Sequence, residues 1–160
     1  DLTEIDVETP LEKTKGYKYS ENVVFVPILR AGLSLVDSFL RMYPAAKVGH
    51  IGIQRNEETL EPIDYYFKKK KNLNKSLTIV LDPMLATGGS ASAAIKYLKA
   101  KDAKNIILAT IIAAPTGIEK VKKDHPDVVI YTATLDRGLN EKGYIVPGLG
   151  DAGDRYFGTF

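Results

Sequence analysis

Leu77-Thr-Ile-Val-Leu-Asp-Pro-Met-Leu-Ala-Thr-Gly-Gly-Ser90 is the stretch that decides the fold. Its first five residues read as a continuous apolar strand, the pattern of a strand buried on both faces in a parallel sheet. The strand empties through Asp82 into a loop holding Gly88 and Gly89. A helical pattern follows, with Ala91, Ala94, Ile95 and Leu98 on one face. The apolar run at residues 105–112 then supplies the next strand and completes a βαβ unit, with residues 77–81 central.

Upstream, residues 22–28 read as a strand, and Leu33, Val36, Phe39, Leu40 and Tyr43 recur at helical spacing until Pro44 closes the helix. Residues 47–54 read as a strand that leads into the polar stretch 55–61 and the aromatic segment 63–67, together a projecting hairpin or arm over 55–71. The four lysines 68–71 belong to a solvated loop. Downstream, Thr116 and Glu119 have capping-box spacing, Ile118 and Val121 supply the buried side of a short helix ending before Pro126, and residues 128–132 form the next strand. The tail 136–160 is rich in glycine and lacks sustained periodicity; a structureless run of that length in a compact domain is usually functional. The expectation is one α/β domain over 1–160: a mostly parallel central sheet flanked by helices, with a projecting β-arm and a Gly-rich C-terminal segment.

Composition fits an ordinary globular domain, with 44% hydrophobic and 26% charged residues. No apolar run approaches the ~20 residues of a bilayer crossing, so no membrane partner is expected. Cysteine is absent, which excludes disulfides, thiolate nucleophiles and cysteine-ligated metals and fits the cytoplasm. A net charge of +2 does not announce nucleic acid binding. The chain starts at Asp1 with no initiating Met and no signal-peptide pattern, which is consistent with a processed chain, a partial one or one trimmed at its start.

The chemistry sits after the central strand. The crevice at the carboxyl end of a parallel strand is open to ligands, and backbone N–H groups at a helix start converge on an anion. Gly88 and Gly89 let backbone approach a phosphate closely, and the hydroxyls of Thr87 and Ser90 can donate to it. Asp82 would face sugar hydroxyls or a metal. No G-x-x-x-x-G-K-[ST] sequence occurs, which disfavours a nucleoside triphosphatase.

This loop resembles the phosphoribosyl pyrophosphate (PRPP) motif of type I phosphoribosyltransferases. Most members have two adjacent acids, whereas the second position here is Pro83, and Asp-Pro-Met-Leu-Ala-Thr-Gly-Gly resembles the uracil phosphoribosyltransferase version specifically. Three further blocks agree in order: Val26-Pro-Ile-Leu-Arg-Ala-Gly-Leu33 is similar to that family's pyrophosphate loop, Gln54-Arg-Asn-Glu-Glu-Thr-Leu-Glu-Pro62 to its mobile arm, and Gly138-Leu-Asn-Glu-Lys-Gly-Tyr-Ile-Val-Pro-Gly-Leu-Gly-Asp-Ala-Gly-Asp154 to its uracil-binding segment. The resemblance is expected to weaken before Val24, where the family has a further N-terminal helical stretch.

The resemblance implies conversion of uracil and PRPP to UMP and pyrophosphate in pyrimidine salvage, by a cytoplasmic homodimer or homotetramer. It implies that PRPP is bound by Arg30, Arg55, Asp82, Pro83, Met84, Leu85, Ala86, Thr87, Gly88, Gly89, Ser90 and Asp151. Uracil contacts fall to Ile145, Gly150, Asp151 and Ala152, and the catalytic set is Arg30, Arg55, Asp82 and Asp151. Mg2+ is expected to arrive with PRPP and water rather than on dedicated protein ligands. The turn at Arg30, Ala31 and Gly32 is expected to present backbone N–H groups to the diphosphate beside the guanidinium. His50 and His125 lie in no matching motif and read as structural or surface residues. Asp151 is the candidate for a general base. Three rival readings are a phosphoribosyltransferase for another base, a nucleotide-sensing regulator of this fold that binds RNA, and a fragment that contributes only an interface.

Overall fold

The computed structural model describes residues 2–19, 22–55, 62–66 and 73–159. An antiparallel hairpin, β1 (Leu2–Glu8) and β2 (Lys13–Tyr19), comes first and had no counterpart in the sequence reading. The central layer is one sheet. It contains β3 (Asn22–Leu29), which leads into α1 (Leu33–Met42), then the short β4 (Lys47–Val48), β5 (Ile51–Arg55) and β6 (Pro62–Tyr66). A 3-10 turn (Leu73–Lys75) opens β7 (Ser76–Leu81), followed by β8 (Met84–Leu85), α2 (Gly89–Ala100), β9 (Asn105–Ala113), α3 (Pro115–Asp124) and β10 (Val129–Leu135). The chain closes with the two-residue strands β11 (Gly138–Leu139) and β12 (Ile145–Val146) and with α4 (Ala152–Phe157).

The sheet order is β10-β9-β7-β3-β5-β6, parallel throughout except for β5 with β6. Alternation along the strands splits the core into two faces. Val24, Val26 and Val80 pack with Ala91, Ala94, Ile95 and Leu98 of α2 and Val121 of α3. Val23 and Phe25 pack with Leu35, Val36, Phe39 and Leu40 of α1 on the other face. Fully burying side chains of the size of Leu98 or Ile95 contributes about 1.5–3 kcal/mol each. Chain order therefore reverses at β3 and β7: α1 carries the chain toward β5 on one side, α2 toward β9 on the other. Such a switch point leaves a crevice beyond the carboxyl ends of the two adjoining strands.

Two local expectations are corrected. Residues 47–54 are not one strand: the Gly49 N–H donates to the Phe25 carbonyl at 2.9 Å, and the chain resumes pairing with β3 only at Ile51 opposite Ile28. The capping box at Thr116 and Glu119 does not form. Ala114 occupies the cap position without a side-chain cap, and Pro115 starts α3, a place where its missing N–H has no partner to lose. Beside this helix, Ser92 Oγ donates to Asp124 Oδ2 at 2.6 Å, while His125 Nε2 donates to the Ser92 carbonyl at 2.9 Å. Ser92 and His125 are both buried, so this trio fastens α2 to α3 and offers no open nucleophile.

Candidate active site

At the end of β7 the chain enters the loop 82–88 and then α2. Gly88 sits at φ +80°, in the left-handed region, and a Cβ there would lie 2.7 Å from the Gly117 carbonyl oxygen. Glycine is therefore required both by conformation and by the close approach of α3. As the cap residue it has no side chain to occupy the first N–H groups of α2; the Gly89 N–H reaches Thr87 Oγ1 only at 3.5 Å, and the N–H groups of the first turn face outward where an anion could meet them. The hollow of ≈ 90 Å³ in front of them is lined by Asp82 and by Met84 through Ala91. Thr87 is exposed and Ser90 half-buried. Pro83 is buried and does not line this hollow; its carbonyl accepts from the N–H groups of Ile111 and Ile112 and so fixes the loop to β9.

The loop after β3 lies next to this one. A Cβ on Gly32 would run into the Leu81 and Ile28 carbonyl oxygens, so only glycine lets the turn lie against the end of β7. The peptide between Leu29 and Arg30 is cis. Of the N–H groups expected to face an anion here, that of Gly32 is spent within the chain, as are those of the two residues that follow. Gly32 N–H donates to the Ile28 carbonyl, Leu33 N–H to that of Arg30 and Ser34 N–H to that of Ala31, at 2.8, 3.0 and 3.1 Å. The Arg30 side chain, 57% exposed, projects from this turn.

The tail crosses over both loops. Asp136 pins it by accepting from the Gly148 N–H at 2.8 Å, and Arg155 Nη1 donates to the Leu149 carbonyl at 3.0 Å. Asp151 caps α4 by accepting from the Asp154 N–H at 2.8 Å. A cleft of ≈ 310 Å³ results, lined by Ile28 and Leu29 at the end of β3 and Arg30 and Ala31 just after it, by Asp82, Met84 and Ser90 after β7, and by Asp151 and Gly153 from the tail. The glycine-rich segment and the phosphate-type loop thus meet in one place, with Asp82, Met84 and Ser90 common to the cleft and the smaller hollow.

The remaining expected residues fall as follows. Ile145 has a buried side chain, leaving its peptide groups as its polar offering. Ile145, Gly150 and Ala152 do not line the cleft, although they belong to the segment that closes it. The side chain of Arg55 and the arm residues 56–61 and 67–72 lie outside the described residues. Sequence reasoning missed Asp154, whose Oδ1 accepts from Arg30 Nη2 at 2.8 Å. The only signal for it was its place three residues after Asp151 at a helix start.

Charge in the cleft is unevenly supported. Burial pushes the Asp82 carboxyl up from 3.8 to about 7, opposed by the Met84 N–H, which donates to Oδ1 at 3.4 Å. Asp154 goes the other way: the Thr159 hydroxyl and then the Arg30 guanidinium hold it below the usual carboxylate range. Among the described residues no group of three or more His, Cys, Asp or Glu side chains is placed to hold a metal. The carboxylates lining the cleft are those of Asp82 and Asp151, beside the Ser90 hydroxyl. That set fits Mg2+, a hard cation that keeps most of its shell as water and substrate oxygens.

A mostly parallel sheet, a switch-point crevice and a glycine-bearing loop opening a helix beside it together define a type I phosphoribosyltransferase fold. A purine phosphoribosyltransferase structure from Pyrococcus horikoshii shares that fold, with a TM-score of 0.54 at 17% identity over 74% of this chain and 80% of that one. The family model described as uracil phosphoribosyltransferase matches residues 1–159, so the likeness does not fade before Val24 as expected. A uracil phosphoribosyltransferase of Thermosipho melanesiensis is 58% identical over 157 residues, covering 98% of this chain and 76% of that protein. The one from Malacoplasma penetrans is 55% identical over 159 residues, covering 99% and 77%. The solved AQ2163 protein from Aquifex aeolicus superposes with a TM-score of 0.88 at 43% identity, over 99% of this chain and 76% of that chain. The chain belongs to the uracil phosphoribosyltransferase family.

Proposed function

We propose that this chain transfers the ribose 5-phosphate of PRPP to uracil, giving UMP and pyrophosphate for pyrimidine salvage. The observation that carries the reading is the single cleft in which Asp82 and Ser90 of the phosphate-type loop face Asp151 and Gly153 of the glycine-rich tail. In the reaction the bond from ribose C1 to the diphosphate oxygen breaks with its electron pair on the leaving group. The uracil N1 bonds to C1 and gives up its proton. Positive charge grows on the sugar and negative charge on the diphosphate, so stabilisation is chiefly electrostatic.

The N–H groups at the start of α2 and the hydroxyls of Thr87 and Ser90 hold the 5'-phosphate, away from the breaking bond, and align the reacting carbon. Asp82 meets the ribose hydroxyls. Arg30 clamps the diphosphate from the other side of the cleft, joined by Arg55 when the 55–71 arm closes and excludes water. Backbone of residues 145–152 reads the alternating carbonyl and N–H edge of uracil, and Asp151 is the candidate to accept the N1 proton. Mg2+ would neutralise diphosphate charge when bound, carried chiefly by PRPP oxygens and water, with Asp82 the carboxylate that would face it beside the ribose hydroxyls. The reading extends to a homodimer or homotetramer in the cytoplasm; no described helix is long and apolar enough to cross a membrane.

Incubation with PRPP, Mg2+ and a panel of bases tests it. UMP and pyrophosphate from uracil, with little product from cytosine, hypoxanthine or adenine, is the expected result. Equal product from cytosine, which presents a different hydrogen-bonding edge, would reject backbone reading of uracil, and a purine product would move the chain to another base.

A further inference from the structure

The proposed reaction gives Asp154 no role, yet this residue is built into the diphosphate end of the cleft. Its Oδ1 accepts from Arg30 Nη2 at 2.8 Å and from Thr159 Oγ1 at 2.7 Å. Arg30 Nη1 also points to Thr159 Oγ1, at 3.5 Å, and the guanidinium carbon lies 5.7 Å from the centre of the Phe157 ring, within cation–π range. All three partners come from α4 and the residues after it, more than 120 positions from Arg30 in sequence.

These contacts hold the arginine without covering it. Its side chain keeps 57% of its surface exposed, and Arg30 lines the cleft whereas Asp154 does not. The carboxylate therefore stands behind the guanidinium rather than in the ligand's place. A guanidinium has five N–H donors in one plane, and Asp154 engages one edge, leaving others for an anion in front. A long, exposed arginine loses rotamer freedom when a ligand orders it, and a preset side chain has already lost that freedom. Thr159 does the same for Asp154.

We infer that Asp154, steadied by Thr159, is a positioning residue that presets Arg30 to receive the diphosphate of PRPP. The inference rests on the phosphoribosyl-transfer reading above. It assigns Asp154 to diphosphate affinity and not to the base. Asp154→Ala keeps the backbone N–H that Asp151 accepts, so the cap of α4 and the segment that carries it survive the substitution.

The test is calorimetric titration of inorganic diphosphate, with Mg2+ present, into the wild type, Asp154→Ala, Asp154→Asn and Thr159→Val, alongside KM for PRPP and for uracil. Asp154→Ala should weaken diphosphate binding and raise KM for PRPP about tenfold, the scale of one charge-assisted hydrogen bond, with KM for uracil and kcat within about twofold. Asp154→Asn, which keeps an acceptor oxygen but no charge, should recover part of the loss, and Thr159→Val should lose less than Asp154→Ala. Unchanged or tighter diphosphate binding by Asp154→Ala would overturn the inference, the second because it would make the carboxylate a competitor for Arg30. Parallel losses for PRPP and uracil would also overturn it, since they would mark a structural role for α4 as a whole. A wild type that binds no diphosphate would instead sink the phosphoribosyl-transfer reading, and the role of Asp154 with it.

Discussion

Replacing Asp82 with asparagine should make the protein more stable at alkaline pH while removing most of its activity. The carboxyl is pushed from 3.8 to about 7 because burial disfavours its charged form more than the Met84 N–H favours it. A raised folded pKa means that the native state binds the proton more tightly than the unfolded chain does. The stability this confers is complete below about 3.8 and is lost as pH rises through about 7. Above that, holding an ionised Asp82 in place costs at most about 4 kcal/mol, and less to the extent that water reaches this half-buried side chain. Asparagine has the same shape and no charge, so the gain of Asp82→Asn over the wild type should be near zero at pH 4, grow between pH 4 and 7, and level off above. Each 1 kcal/mol corresponds to about 2–4 °C in Tm for a chain of this size. Urea titrations of both proteins from pH 4 to 9 measure it, and UMP formation by Asp82→Asn should fall by at least about tenfold. A stability difference independent of pH, or one that grows toward acid, would refute the account of the buried carboxylate. Near-normal UMP formation would refute its place beside the sugar. The wild type should also gain kcat/KM for PRPP as pH rises through about 7, because the free enzyme's Asp82 must ionise to do its work, and a flat profile would count against this.

Arg30→Ala should weaken PRPP and pyrophosphate far more than uracil in calorimetry; equal losses on both would reject the division between a diphosphate clamp and a base-reading tail. Gly88→Ala places a side chain at φ +80° and against the Gly117 carbonyl, which should destabilise the fold by about 1–2 kcal/mol from conformation alone and raise KM for PRPP. Unchanged urea midpoint and KM would show that the loop tolerates the displacement.

The parts of the fold legible in the sequence were those written in one short stretch. β7 and α2 announced themselves because buried strands and helix faces repeat locally, and the loop between them because Gly88 marks a conformation that other residues resist. β1 and β2 left little trace: they form a mostly exposed hairpin, and LTEIDVE and KTKGYKY have no clean apolar alternation. The α4 helix escaped notice because six residues are too few to show a period, and Gly153, its one buried residue, carries no apolar signal. Pro115 outweighed the capping-box spacing of Thr116 and Glu119 for a backbone reason, its fixed φ at the first turn. At the site, Asp82, Thr87 and Ser90 could be named from the loop they share. The pairing of Arg30 with Asp154 could not, since nothing local in either segment says which distant residue folds over it. The same limit explains the turn at residues 30–34, where only the folded chain shows the N–H groups of Gly32, Leu33 and Ser34 spent on nearby carbonyls.

A crystal structure of the protein with UMP bound tests the central claim most directly. The phosphate should lie within hydrogen-bonding distance of the N–H groups that begin α2 and of the Thr87 or Ser90 hydroxyl, with the pyrimidine edge against backbone of residues 145–152 and the ribose beside Asp82. UMP bound away from the β3–β7 crevice, or bound there with its base turned from the tail, would contradict it.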